Sequence, residues 1–194
     1  MRVLIVSFIV IVVDQVSKIL VKGFSIPLLN YKHIGIGYGQ KEALFGKFFH
    51  ITLIENPGIA FGINFGSNFK ILITIFTLIT SIVLIYYLYK SRNKSFGIRF
   101  SIALIIGGAF GNLIDRTLYG VFYGYAPFFY GKVVDFLEVK LFNLFLFSGS
   151  AGNYIFNFAD VAVTLGVFSL ILNYMRKKKP VPAKDSVDNF LPEN

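Results

Sequence analysis

Cysteine is absent from the 194 residues, and histidine occurs only twice. With no thiol there can be no cysteine nucleophile, disulfide framework, thiolate metal site or lipidated cysteine of the chain's own. His33 and His50 are too few and too far apart for an imidazole metal centre, and both read as ordinary loop residues. Charge is also scarce, at 15% of residues, and acids are the scarcer sign, ten against nineteen Lys and Arg. No Gly/Ser-rich or Pro-rich linker divides the chain, and no internal repeat stands out. A single domain over residues 1–179 is expected, followed by a disordered cytoplasmic tail at 180–194.

Hydrophobic residues make up 55% of the sequence, a balance outside that of water-soluble domains. A net charge of +9 could suggest nucleic acid. The basic residues flank apolar runs, however, and are not interleaved with aromatics on a polar domain, so a nucleic-acid partner is not expected. Four runs are long enough to cross a bilayer as helices: about 3–21, 69–89, 98–114 and 158–175. The first has a basic residue ahead of it like a secretory signal, but no small-residue cleavage site follows. Asp14 and Lys18 also interrupt it, so it is read as a retained span.

Short basic segments set the expected orientation. Arg2 precedes the first span, Lys90, Arg92, Lys94 and Arg99 lie between the second and third, and Arg176 to Lys179 follow the fourth. Both termini are expected on the cytoplasmic side, with the two long connections, 22–68 and 115–157, on the outer face. Within the first connection, Ile51-Thr52-Leu53-Ile54 reads as a strand, Glu55-Asn56-Pro57-Gly58 as a turn and Phe61 to Asn64 as a returning strand. The second is rich in aromatics, from Tyr119 to Tyr130 and then Phe142, Phe145 and Phe147, a composition that favours the bilayer interface. The expected fold is therefore mainly α and integral to the membrane, with four transmembrane helices, a small extracytoplasmic β-sheet and an interfacial outer segment.

Asp14, Asp115, Asp135 and Asp160 lie within or beside strongly apolar sequence, where an ionised group is costly and needs a partner or a task. The topology brings all four to the outer leaflet. Two adjacent carboxyls hold one proton between them near neutral pH, so the pair contains an acid and a base suited to activating water against a peptide bond. Asp115 has Arg116 beside it, and Asp14 has Lys18 one helical turn away, so both have local cations. Asp135 and Asp160 have none within helical reach. Elimination favours these two without closing the alternatives. A small transporter using the aspartates for protons or cations, or a membrane scaffold, would also account for buried carboxylates.

Five polar islands together resemble the motif set of bacterial lipoprotein signal peptidase, also called signal peptidase II. They are Asp14-Gln15-Val16-Ser17-Lys18, the box from Glu55 to Gly62, the box from Gly107 to Arg116, Val133-Val134-Asp135-Phe136, and Phe156-Asn157-Phe158-Ala159-Asp160. Any one would be weak evidence, but five in order on the expected spans are specific. The resemblance implies a membrane aspartic endopeptidase that cleaves prolipoproteins before a diacylglyceryl-modified cysteine, without metal or cofactor. It implies Asp135 and Asp160 as catalytic, Asn56, Asn112, Arg116 and Asn157 as substrate-binding, and Asp14, Lys18 and Asp115 as structural support. It further implies a bacterial plasma (inner) membrane location, with prolipoprotein and membrane lipid as partners; a monomer is expected. The stretches between Arg116 and Val133 and between Lys140 and Tyr154 look longer than is usual in that family. Gly107, Gly108 and Gly111 provide small-residue spacing for close helix contact.

Overall fold

The computed structural model describes residues 2–45, 48–58, 67–140 and 153–177. Four of its helices are long and apolar enough to cross a membrane, over Leu4–Lys22, Phe69–Lys90, Phe96–Phe122 and Phe158–Arg176. The elements in chain order are α1 (Leu4–Lys22), β1 (Phe24–Ile26), β2 (Tyr31–His33), β3 (Lys41–Phe45), β4 (Phe49–Asn56), α2 (Ser67–Lys90) and α3 (Phe96–Ile114). A π-turn over Asp115–Tyr119 carries α3 into a short α4 (Gly120–Phe122), and β5 (Val133–Lys140), β6 (Asn153–Phe156) and α5 (Phe158–Lys177) follow.

Helix α3 is the central element, packed against α1, α2 and α5. Its small residues permit this. A methyl group at Gly108 would stand 2.3 Å from the Ala159 carbonyl oxygen, and one at Gly111 would stand 2.5 Å from Asp14 Oδ2. Side chains here would force α5 and α1 away and displace a carboxylate. The outward faces of the other helices are the reverse, with Phe8, Ile9, Phe76 and Phe168 all exposed. In water such a surface would be a liability; in lipid it is the expected outer face of a bundle.

At one end of the bundle, Val3 just ahead of α1, Leu88 of α2 and Ile98 of α3 share a buried core. The Tyr87 and Tyr174 hydroxyls meet there at 2.7 Å and tie α2 to α5. At the other end, Leu53, Tyr119, Val134 and Phe136 form a second core that joins the sheet to α3. That sheet is antiparallel in the order β3-β4-β5-β6, and β1 pairs with β2 separately.

The sheet is larger than the two strands legible in the sequence. The first expected strand is β4, but its neighbours are β3 and β5; the expected return strand at 61–64 lies outside the described residues. β5 escaped notice because Val133 to Phe136 is buried on both faces and so shows no alternation. The third span also continues past Ile114, where the apolar run fades, through the π-turn to Phe122. Buried Asp115 and Tyr119 carry the helix onward where composition alone suggests an end.

Candidate active site

β4 and β5 pair with Ile54 opposite Asp135 and Asn56 opposite Val133. β5 and β6 pair with Leu137 opposite Phe156. Two residues further along that register, the chain has left β6 and begun α5, so Asp135 faces the first turn of the last helix. This pairing brings together a carboxylate from mid-connection and one from a span.

The turn itself is a reciprocal cap. Asn157 Oδ1 accepts from the Asp160 backbone N–H at 3.0 Å, and Asp160 Oδ2 accepts from the Asn157 backbone N–H at 3.2 Å. The Asn157 amide then reaches outward from the cap. Its Nδ2 lies 2.7 Å from Asp135 Oδ1 and 3.1 Å from Asn112 Oδ1. Asn112 Nδ2 completes the circuit by donating to Asp160 Oδ1 at 2.8 Å. Asn56 Nδ2 approaches Asp135 Oδ2 at 3.2 Å, and Asn56 Oδ1 holds the Gly58 N–H at 2.9 Å. Gly58 adopts φ +96°, and a side chain there would press on Ile73 and on Arg116 Nη1, so glycine is required on both counts.

Behind this layer Asp14, Lys18 and Asp115 are fully buried. Lys18 Nζ lies 2.8 Å from both Asp14 Oδ2 and Asp115 Oδ2 and 3.0 Å from Asn112 Oδ1, so all three ammonium hydrogens have acceptors. Gln15 Nε2 bridges the same two carboxylates at 3.1 and 2.9 Å. Each carboxylate also takes a backbone N–H: Ala159 for Asp14 at 2.9 Å, and Val134 for Asp115 at 3.1 Å. These amides belong to the residues just before Asp160 and Asp135. The inner carboxylates therefore hold the backbone on which the outer pair is mounted.

Arg116 differs from the rest. Its guanidinium lies within electrostatic reach of Asp115, Asp135 and Asp160, yet its side chain forms no hydrogen bond with a described residue. A rigid fork of donors lies beside the site without an acceptor among the described residues. In Asp135 itself, burial together with the neighbouring Asp160 carboxylate pushes the carboxyl up to about 7, against the hydrogen bonds from Asn56 and Asn157. A group poised near neutrality can be acid or base as the reaction demands.

All nine residues singled out from the sequence meet at this end of the bundle. Gln15 and Tyr119 were missed: the Tyr119 hydroxyl donates to Gln15 Oε1 at 3.1 Å and completes the inner layer. An uncharged Gln in an apolar span was the available signal for the first. A second omission is the junction of Glu55 with Lys22 and Lys132. Lys22 pairs with one Glu55 oxygen and Lys132 reaches the other at 3.1 Å, while Lys22 also lies 4.3 Å from the Tyr123 ring centroid. Burial acts to raise the Glu55 carboxyl, but the two lysines outweigh it and hold it below its ordinary value. The junction fastens the end of α1 and the loop after α4 beside Asn56.

Four apolar spans around a buried polar cluster at one end define a multi-pass membrane protein. The family model for Signal peptidase (SPase) II matches residues 6–176. The lipoprotein signal peptidase of Chlorobium phaeobacteroides is 36% identical over 86% of this chain and 91% of that relative, and that of Halothermothrix orenii is 35% identical over 90% and 96%. A bacterial membrane enzyme structure determined by the in meso method at 1.9 Å resolution superposes with a TM-score of 0.66 and 27% identity, over 90% of this chain and 93% of that one. The chain belongs to the signal peptidase II family, a family of membrane proteases.

Proposed function

We propose that this chain is an aspartic endopeptidase that removes the signal peptide from diacylglyceryl-modified prolipoproteins, cutting before the lipidated cysteine, with Asp135 and Asp160 activating water. The observation that carries this reading is the amide circuit of Asn157 and Asn112, which ties the two carboxyls into one unit with Asp135 held near neutrality.

Such a pair enters the reaction with one shared proton. The ionised carboxylate takes a proton from water as the water oxygen bonds to the scissile carbonyl carbon. The protonated carboxyl gives its proton to the carbonyl oxygen, producing a neutral tetrahedral diol. Collapse breaks the C–N bond: one diol hydroxyl gives its proton to the pair's carboxylate as the carbonyl re-forms, and the departing amine takes a proton from the pair's carboxyl, so the pair again holds one proton. Neither a covalent enzyme intermediate nor a metal is needed. Arg116 and Asn56 hold the substrate main chain, and the acyl chains of the substrate remain in lipid beside the exposed helix faces. In this reading both termini lie in the cytoplasm and the site at the outer face of a bacterial plasma membrane, an orientation the basic segments support, and the chain works as a monomer.

The test is a gel-shift assay of a purified diacylglyceryl prolipoprotein. Asp135→Asn and Asp160→Asn should each lower the cleavage rate by about 10²–10⁴-fold while leaving the melting temperature near that of wild type or above it. Cleavage at the wild-type rate by either variant would refute the assignment. Proton or cation flux in liposomes that persists in the absence of cleavage would favour a transporter instead.

A further inference from the structure

At the end of the bundle away from the aspartates, a cavity of about 250 Å³ is lined by Val3, Leu88, Arg92, Asn93 and Arg99. It forms where the start of α1, the turn after α2 and the first turn of α3 come together. Val3 and Leu88 are buried and give it an apolar wall. The rest is polar, two arginines with Asn93 between them in sequence. Arg92 lies over the Tyr89 ring at 4.6 Å from its centroid, and neither it nor Arg99 has an ion pair among the described residues. Arg99 Nε and Ser91 Oγ are buried without a hydrogen-bond partner among the described residues, which is costly unless something beyond those residues satisfies them.

The missing partner is not another part of the described chain. Its acids are Asp14, Glu42, Glu55, Asp115, Asp135, Glu138 and Asp160, and all lie in the half that holds the sheet and the candidate site. Lys94, at the same end as the cavity, makes its contacts with the Tyr87 and Tyr174 hydroxyls instead of with a carboxylate. Helix α3 also begins without a side-chain cap at Ser95, so the positive end of its dipole adds to the local field.

We propose that this cavity binds a phosphate group, and that in the membrane the group is the headgroup phosphate of an anionic phospholipid in the adjacent leaflet. Guanidinium forks match phosphate oxygens in pairs, and basic recesses between spans are suited to anionic headgroups. The apolar side chains needed for the lipid's tails are close by, since Leu4, Ile5 and Phe96 are exposed on the neighbouring helix starts. The inference is independent of the peptidase reading, because it concerns the opposite end of the bundle.

The full chain would be reconstituted in phosphatidylcholine nanodiscs with and without phosphatidylglycerol, and retained lipid counted by native mass spectrometry. Wild type should retain one phosphatidylglycerol, and R92Q/R99Q should bind it about thirty-fold more weakly. R176Q, at the same end but outside the cavity, should bind as wild type does, and R92K/R99K should recover part of the affinity. Melting in pure phosphatidylcholine checks that each variant is folded. Displacement of the lipid by millimolar inorganic phosphate would support the phosphate site while assigning it to the free ion. Equal retention by wild type and R92Q/R99Q overturns the proposal. So does binding seen only after removal of residues 180–194, because Asp185, Asp188 and Glu193 would then be the counter-charges.

Discussion

Asp135 is the residue whose environment makes the sharpest prediction about pH. Its carboxyl stands at about 7, above the ordinary carboxylate range, because burial and Asp160 both disfavour the charge. Above that pH the pair loses its shared proton, so cleavage should fall on the alkaline side of about 7, as a pH–rate profile would show. Stability follows the same sign. Between the unfolded carboxylate value, about 4, and about 7 the folded chain binds more protons than the unfolded one, so this group's contribution declines as pH rises and is lost above 7. Asp135→Asn, which cannot ionise, should remove that decline, and its melting temperature should exceed that of wild type by more at pH 8 than at pH 5. Lys18 makes the opposite kind of prediction. Lys18→Met would leave Asp14 and Asp115 buried without their cation, a change that costs about 3–5 kcal/mol in comparable settings and should appear as a large loss of thermal stability in detergent.

The junction of β6 and α5 carries two functions in one residue, and they can be separated. Asn157 caps the helix through Oδ1 and connects the carboxyls through Nδ2. Serine is an equally good cap but has no amide to reach Asp135. Asn157→Ser should therefore keep the unfolding free energy within about 0.5 kcal/mol of wild type while lowering the cleavage rate, whereas Asn157→Ala should lower both, the cap being worth about 1 kcal/mol. If serine preserved the rate, the amide link would be structural only. The close approach of α1 to α3 is equally testable. Gly111→Ala sets a methyl 2.5 Å from Asp14 Oδ2, so it should disturb the inner layer far more than an alanine on an exposed helix face.

For the molecule as a whole, the natural absence of cysteine makes orientation measurable with single introduced thiols. Ser25 and Ser95 are exposed and lie toward opposite ends of the bundle. In intact cells a membrane-impermeant maleimide should label Ser25→Cys and spare Ser95→Cys, with both labelled after permeabilisation. The reverse pattern would invert the topology inferred from the basic segments. The division between the two ends is also electrostatic. The described acids lie toward the sheet, and Arg92 and Arg99, without an ion pair among the described residues, lie toward the opposite end, so the two proposed sites would occupy separate regions of one small bundle.

Hydropathy and the few acids were enough to anticipate the four spans and the gathering of the carboxylates at one end of the bundle, because both follow from the cost of placing charge in lipid. The local cap at Asn157 and the ion pair at Asp14 and Lys18 were legible because their partners lie within one helical turn. Partners far apart in sequence were not. The pairing of β5 between β4 and β6, the amide circuit from Asp135 to Asp160 and the gathering of Lys22, Glu55 and Lys132 depend on strand register and helix approach. Those are decided only when all the elements pack together, since no local pattern encodes which distant residue a buried donor will meet.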